Sequence, residues 1–423
     1  MLSKNYKNIS LLIKPSLLKG KITIPPSKSL SHRAIICASL SMEESNIKNI
    51  VFSDDIRATI EGMKTLGADI KEDDDFILVK KSRIIENNIV NSVIDCNESG
   101  STLRFLIPLS LVLKDGCTFT GKGRLSERPL DVYYDIFKKS NIKYETNKGK
   151  LPLKVRGRLK GGSYNIPGNV SSQFITGLFF ALPLLEVDSK IKVTGVLESK
   201  SYIDLTLAVM KKYNVNIEKI DEHNYHIKGA QKYKAFDYRV EGDFSQAAFF
   251  LAANVLGCKI EYLGLNYDSM QGDKEILSII EKYSSPDREI TIDASQIPDL
   301  VPVISVIASL KENCTTNIIN AGRLRFKESD RLEAMASEMK KIGASIKETK
   351  NGLIIKGKGS LCGNTTVNSR NDHRIAMALA IAAIKCENPI ILEGYESVKK
   401  TYPKFWDDYQ SLGGVINEFN DRK

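Results

Sequence analysis

Two cations, Lys28 and Arg33, stand among the hydroxyls of Ser27, Ser29 and Ser31 in the stretch Pro25-Pro26-Ser27-Lys28-Ser29-Leu30-Ser31-His32-Arg33. An apolar, strand-like run ends at the two prolines, and a helix-like apolar run, Ala34 to Leu40, follows. A chain that stops at Pro-Pro and restarts as a helix leaves backbone N–H groups without intrahelical partners just past Ser27. With Lys28 and Arg33 beside them, that end favours an anion. Ordinary capping also needs only a Ser-rich helix start, so the argument for chemistry rests on the recurrence of the pattern.

The elements that carry it do recur. A polar loop ahead of an apolar helix returns at intervals of roughly 55 to 75 residues: Glu98-Ser99-Gly100-Ser101, Gly168 to Gln173, Glu241 to Ser245, Gln296-Ile297-Pro298-Asp299 and Ser369 to Arg374. Helices apolar nearly all round, such as Phe174 to Leu185 or Ala247 to Ala253, belong in a core. A second, amphipathic helix follows each and stops at a glycine, as at Gly67, Gly343 and Gly413, with weaker relatives over Lys139–Tyr144, Lys211–Ile217 and Ile279–Ser284. A hairpin comes next, as in Ile346 to Gly357 with Asn351-Gly352 at its tip. The unit is therefore βαβαββ, used six times, with Gly229 to Lys234 dividing three copies from three. Capping explains the Ser and Asp residues, whereas Lys28, Arg33, Arg104, Arg124 and Arg374 around the caps point to anionic ligands.

At 423 residues the chain is long for one core and suggests two domains. Its net charge of +10 favours an anionic partner, yet no basic run with interleaved aromatics argues for nucleic acid. Seven scattered cysteines with no Cys-x-x-Cys pair fit a reducing compartment. Met1 to Lys7 lacks the apolar core of a signal peptide, and Phe174 to Leu185 is too short to span a bilayer, so the expected location is the cytoplasm. His223 and His226 fall in a hairpin with no Cys or carboxylate at ligand spacing, so no metal is expected there. A Walker-type loop is absent, since Gly357-Lys358-Gly359 ends a hairpin with no helix after it.

Four loops then become specific. Pro26-Ser27-Lys28-Ser29-Leu30-Ser31-His32-Arg33, Arg124-Leu125-Ser126-Glu127-Arg128-Pro129-Leu130, Lys327-Glu328-Ser329-Asp330-Arg331-Leu332 and Asn371-Asp372-His373-Arg374-Ile375-Ala376-Met377 resemble the signatures of the 5-enolpyruvylshikimate-3-phosphate synthase family, in order and across essentially the whole chain. The resemblance implies an α+β protein, a two-domain inside-out α/β barrel in which each domain has three βαβαββ repeats with buried parallel helices and mixed sheets. It implies a discontinuous domain of residues 1–22 and 240–423, an inserted domain of residues 23–239, and a cleft between the two. The implied partners are phosphoenolpyruvate and shikimate 3-phosphate, with no metal or organic cofactor, no nucleic acid, no membrane and a monomeric state.

The implied reaction moves the enolpyruvyl group to the 5-hydroxyl of shikimate 3-phosphate, which calls for a base, an acid and several cations. By resemblance Asp299 is the base, with an ordinary N-cap as the alternative, and Glu328 and Lys28 handle the proton on the methylene carbon. Lys327, Glu328 and Arg331 are spaced to share one face of a helical continuation. Arg124, Arg331, Arg374 and Lys400, with Gln173 and Gly100, match the phosphoenolpyruvate set; Ser29, Arg33, Ser171, Ser172, Ser199, Tyr202 and Lys327 match the shikimate 3-phosphate set. His373 is a site residue in the family, and a helix-start hydrogen bond is an equal reading. Two departures stand out, Glu98 and Arg323, each where the family commonly has Asn. Two rivals remain: the sister enzyme acting on UDP-N-acetylglucosamine, which carries a reactive Cys where this chain has Gly121 to Arg124, and a basic RNA-binding repeat protein. Cys117 precedes that loop and reads as a buried strand thiol.

Overall fold

The computed structural model describes residues 9–80 and 92–419. The chain forms two compact units. The terminal unit is built from the segment ending at Pro25, from Gly242–Ser269 and from the residues after Met270–Gly272; the inserted unit comprises Pro26–Glu241 with Met270–Gly272. Each has its own apolar core.

Six helices carry those cores: Lys28–Leu40, Gly100–Leu113 and Ser172–Ala181 in the inserted unit, and Phe244–Val255, Val301–Leu310 and His373–Ala383 in the terminal one. Every residue of Val301–Leu310 and of His373–Ala383 is buried, as all-round apolarity requires. Five begin at the caps legible in sequence, Ser27, Ser99, Ser171, Asp243 and Asp372, each accepting a hydrogen bond from an amide of the first turn. The sixth differs. Asp299 lies inside a short 3-10 turn, Pro298–Leu300, and the helix starts after it without a side-chain cap. The N-cap alternative for Asp299 is therefore excluded.

Pro108 sits within the Gly100–Leu113 helix, where its missing N–H deprives the Arg104 carbonyl of a helical donor. The Tyr133 hydroxyl, from the amphipathic helix Asp131–Lys139, supplies that bond at 2.5 Å. Gly177 makes room for that bond, because a Cβ there would lie 2.3 Å from the carbonyl oxygen and 2.5 Å from the Tyr133 hydroxyl.

The sheets share one plan. Val93–Asp95 runs parallel to Thr118–Thr120, which pairs antiparallel with Lys150–Arg156 and through it with Lys143–Asn147. Four other sheets repeat the order. Their strands alternate between solvent and helix, as in Ser189–Thr194, where each second residue is buried, so each sheet lays one face on the helices. Among the described residues none of these sheets closes into a barrel. Two of the five are completed by distant strands: Ser10–Lys14 lies between Ile390–Glu393 and Val415–Phe419, and Tyr238–Arg239 pairs with Ser45–Lys48.

The sixth copy is shortened. Among the described residues Lys19–Thr23 pairs only with Lys259–Leu263, a two-stranded parallel sheet. After the Ile276–Ser284 helix the chain runs straight into Glu289–Asp293, because Ser285 to Arg288 are too few for a hairpin. The hairpin tip expected at Asn351-Gly352 also moves by one residue. Thr349 pairs with Gly352, leaving Lys350-Asn351 as the turn, and Gly352 is needed because a Cβ there would lie 1.8 Å from the Ile318 oxygen. Among the described residues no helix is long and apolar enough to cross a membrane.

Candidate active site

In the terminal unit the buried helices bring their starts together around one guanidinium. Arg331, 1% exposed, donates from Nη1 to Asp299 Oδ1 at 2.8 Å, from Nη2 to Glu328 Oε2 at 2.7 Å and from Nε to Asp372 Oδ2 at 2.8 Å. Arg374, in the first turn of His373–Ala383, donates to the other Asp299 oxygen at 3.1 Å, and Lys327 Nζ stands 3.6 Å from Asp299. Burial alone would raise the Asp299 carboxyl, but Arg374, Lys327 and Arg331 outweigh it and hold the group well below the usual carboxylate range. Burial draws Lys327 down to about 8, with Asp299 working against the shift.

The helical face expected for Lys327, Glu328 and Arg331 does not form. Asp330 caps the Arg331–Lys341 helix by accepting from the Glu333 amide, so Lys327 and Glu328 precede it. They meet Arg331 and Asp299 through the loop. That helix also steadies the approach to His373: Glu338, with a fully buried side chain, accepts from Arg370 at 2.8 and 2.9 Å. Arg370 and Asn371 both take left-handed backbone angles, φ 53° and 56°, a strained pair that the surrounding bonds must hold. Their turn presents the Asn371 carbonyl to Lys400 Nζ at 2.6 Å. His373 is buried at the helix start.

In the inserted unit Lys28 Nζ pairs with Asp55 at 2.8 Å. Arg33 is buried and donates to the Ser29 carbonyl at 2.7 Å, the Tyr202 carbonyl at 2.9 Å and Thr206 Oγ1 at 2.8 Å, tying two other candidate residues together. Ser199 adopts φ 54° ahead of the Lys200–Lys212 helix, another strained residue at a candidate position. Ser171 caps the Ser172–Ala181 helix, and Gln173 in its first turn donates to Ser101 Oγ at 3.0 Å and accepts from Arg104 Nη1 at 2.8 Å.

The sequence reading did not single out Arg128, Asp55 or Asp273. A Cβ on Gly100 would lie 2.7 Å from Arg128 Nη1, 3.1 Å from Arg104 Nη1 and 3.5 Å from Gln173 Oε1, so two buried guanidinium groups flank that glycine. Arg124 is half-buried in the Gly123–Glu127 turn. Glu98 packs against the same turn, its carboxyl 2.9 Å from where a Gly123 Cβ would stand. The signal for Arg128 was present, as it follows Glu127 inside a quoted motif. Asp273 gave none: it meets Ser245 of the Phe244–Val255 helix, and burial together with Asp299 pushes it up to about 6, with Arg374 opposing. Arg323 turns to the Ser295 carbonyl at 2.6 Å.

His226, half-buried on a hairpin strand, sits between Asp188 and Glu218, and no group of three His, Cys, Asp or Glu among the described residues could hold a metal ion. Cys117 is 3% exposed, and burial pushes its thiol up to about 11, so the buried-thiol reading holds.

Comparison with known proteins gives the family. The family model for EPSP synthase (3-phosphoshikimate 1-carboxyvinyltransferase) matches residues 12–409. The 3-phosphoshikimate 1-carboxyvinyltransferase of Clostridium novyi (strain NT) is 51% identical over 438 aligned residues, covering 98% of this chain and 99% of that protein. Its counterpart in Clostridium acetobutylicum is 52% identical over 424 residues, covering 96% and 98%. Among solved structures, an EPSP synthase from Acinetobacter baumannii shares the fold, with a TM-score of 0.80 at 22% identity over 97% of this chain and 100% of that one. With the family match running nearly end to end and about half its residues shared with those relatives, the chain belongs to the EPSP synthase (3-phosphoshikimate 1-carboxyvinyltransferase) family.

Proposed function

We propose that this protein transfers the enolpyruvyl group of phosphoenolpyruvate to the 5-hydroxyl of shikimate 3-phosphate, giving 5-enolpyruvylshikimate 3-phosphate and phosphate on the route to chorismate and the aromatic amino acids. The observation that carries the reading is the Asp299 carboxylate held by Arg331 and Arg374 with Lys327 beside it. A carboxylate so gripped is a weak base. Anionic substrates compete for the same three cations, and each cation they draw away returns basicity to Asp299. The base thus strengthens when there is a hydroxyl to deprotonate.

The two clusters divide the reaction. Asp299 takes the 5-hydroxyl proton as that oxygen bonds to C2 of phosphoenolpyruvate, while Glu328 or Lys28 protonates the methylene carbon. From the tetrahedral intermediate the C2–phosphate bond breaks, phosphate leaves, and the methyl proton returns to the protein. Arg331, Arg374, Lys400, Arg124 and Gln173, with Arg128 and Gly100, hold the phosphate and carboxylate of phosphoenolpyruvate. Ser29, Ser171, Ser172, Ser199, Tyr202 and Lys327 hold shikimate 3-phosphate, and Arg33 orients Ser29 and Tyr202. On this reading the enzyme works in the cytoplasm as a monomer.

The buried, weakly acidic Cys117 supports the shikimate acceptor over a nucleotide sugar, since a thiol nucleophile must be exposed and ionisable. A phosphate-release assay tests the choice. Release is expected with phosphoenolpyruvate plus shikimate 3-phosphate and at background with UDP-N-acetylglucosamine; the reverse pattern would overturn the assignment.

A further inference from the structure

A buried chain of side chains in the inserted unit is left unused by the reaction outlined above. His32, fully buried in the Lys28–Leu40 helix, has Nδ1 2.7 Å from Thr59 Oγ1. Thr59 Oγ1 is 2.7 Å from Thr102 Oγ1, and Thr102 Oγ1 is 2.8 Å from Ser99 Oγ. Ser99 is the N-cap of the Gly100–Leu113 helix and also accepts from the Thr102 amide at 3.2 Å. The chain therefore joins three helices, Lys28–Leu40, Asp54–Thr65 and Gly100–Leu113.

Its direction follows from the other ring nitrogen. His32 Nε2 has no polar partner among the described residues, and the ring stands edge-on to Phe105 at 88°. A buried N–H without an acceptor costs more than a bare lone pair. The proton of the neutral ring therefore sits on Nδ1 and is donated to Thr59. Burial, with Lys28 and Arg33 close by, lowers the imidazole well below its ordinary value and keeps it neutral. Thr59 then donates to Thr102, and Thr102 to Ser99, the 2.8 Å contact prevailing over one of 3.5 Å to the Asp55 carbonyl.

We propose that His32 is a positioning residue for the phosphoenolpyruvate site: through Thr59 and Thr102 it fixes Ser99, and so the first turn on which Gly100 and Arg104 meet Arg128 and Gln173. The proposal rests on the reading that this turn receives phosphoenolpyruvate. The turn stands close to that arginine, since a Cβ on Gly100 would lie 2.7 Å from Arg128 Nη1.

Steady-state kinetics with each substrate varied in turn test it, on His32→Phe, His32→Asn, Thr59→Val and Gly100→Ala. His32→Phe and Thr59→Val should raise KM for phosphoenolpyruvate about tenfold, the effect of one lost buried hydrogen bond, with KM for shikimate 3-phosphate within about twofold of the parent. His32→Asn, whose amide N–H reaches where Nδ1–H stood, should restore KM to within about threefold. Thr59→Val keeps the parent shape and decides the matter if His32→Phe does not fold. An unchanged phosphoenolpyruvate KM in Thr59→Val, a parallel rise in both KM values, or His32→Asn as impaired as His32→Phe would each overturn the positioning role. Gly100→Ala separates the two layers. If it leaves phosphoenolpyruvate KM unaltered, the site reading falls and the positioning role with it; a raised value there beside a normal Thr59→Val removes the positioning role alone.

Discussion

Three carboxylates share Arg331, and the sharing decides which can act as a base. Asp372 is fully buried and saturated, accepting from Arg331 Nε, from Ser329 Oγ at 3.0 Å and from the Arg374 amide at 2.9 Å. Asp299 and Glu328 keep 19% and 14% side-chain exposure, so a substrate can reach them. Asp299→Ala should therefore lower kcat by about 10²–10⁴, the range for losing a general base. It should leave KM for phosphoenolpyruvate unchanged or lower, because Arg331 and Arg374 lose a competing anion. Normal turnover in that variant would move the base role elsewhere. Lys327 gives the pH dependence. Burial draws it down to about 8, so it is charged below that pH and neutral above it. The kcat/KM for shikimate 3-phosphate, which reports the free enzyme, should fall as pH rises through about 8, and Lys327→Arg should shift that fall upward. A profile flat to pH 10 in the parent enzyme would remove Lys327 from the substrate contacts.

At the scale of the element, the Gly100–Leu113 helix shows why a proline can stand in a core helix. Pro108 removes a donor, and Tyr133, 1% exposed on a neighbouring helix, replaces it at the Arg104 carbonyl. Tyr133→Phe keeps the ring and strands that carbonyl, at a cost of about 1–3 kcal/mol. Urea unfolding should show the loss, and an undiminished midpoint would mean the carbonyl finds another donor. The buried helices themselves were legible from the sequence, because apolarity all round and Ser or Asp at the cap leave few alternatives to a core helix. Asp299 was harder, since the 3-10 turn Pro298–Leu300 that holds it reads in sequence like any other cap. Lys327 and Glu328 misled for a similar reason: their spacing fits a helix, but Asp330 begins it later. Arg128 against Gly100, and His32 joined to Thr59 and Thr102, are contacts between elements far apart in the chain, so spacing alone does not reveal them.

At the scale of the molecule, each unit is drawn from a chain that enters and leaves it at neighbouring points. The Ser27 amide donates to the Glu241 carbonyl at 2.8 Å, joining the two ends of the inserted unit, and the Asp243 amide donates to the Pro25 carbonyl at 2.8 Å, joining the cut ends of the terminal unit. The apolar side chains sort the same way, with one core drawn wholly from the inserted segment and the other wholly from the rest. Both units therefore meet the conditions for folding alone: a private core and ends already in contact. Pro26–Glu241 produced by itself should be compact and unfold in a single cooperative transition by circular dichroism, although it lacks Met270–Gly272 and the 2.9 Å bond from Gln271 to Glu241. The terminal unit with Pro25 joined directly to Gly242 should do the same, since no backbone must move far to close the splice. It should also bind phosphoenolpyruvate weakly through Arg331, Arg374 and Lys400 while turning over nothing, because Lys28 and Gly100 are missing. A non-cooperative or unfolded product from both pieces would show that the cores are separate in composition and joint in stability.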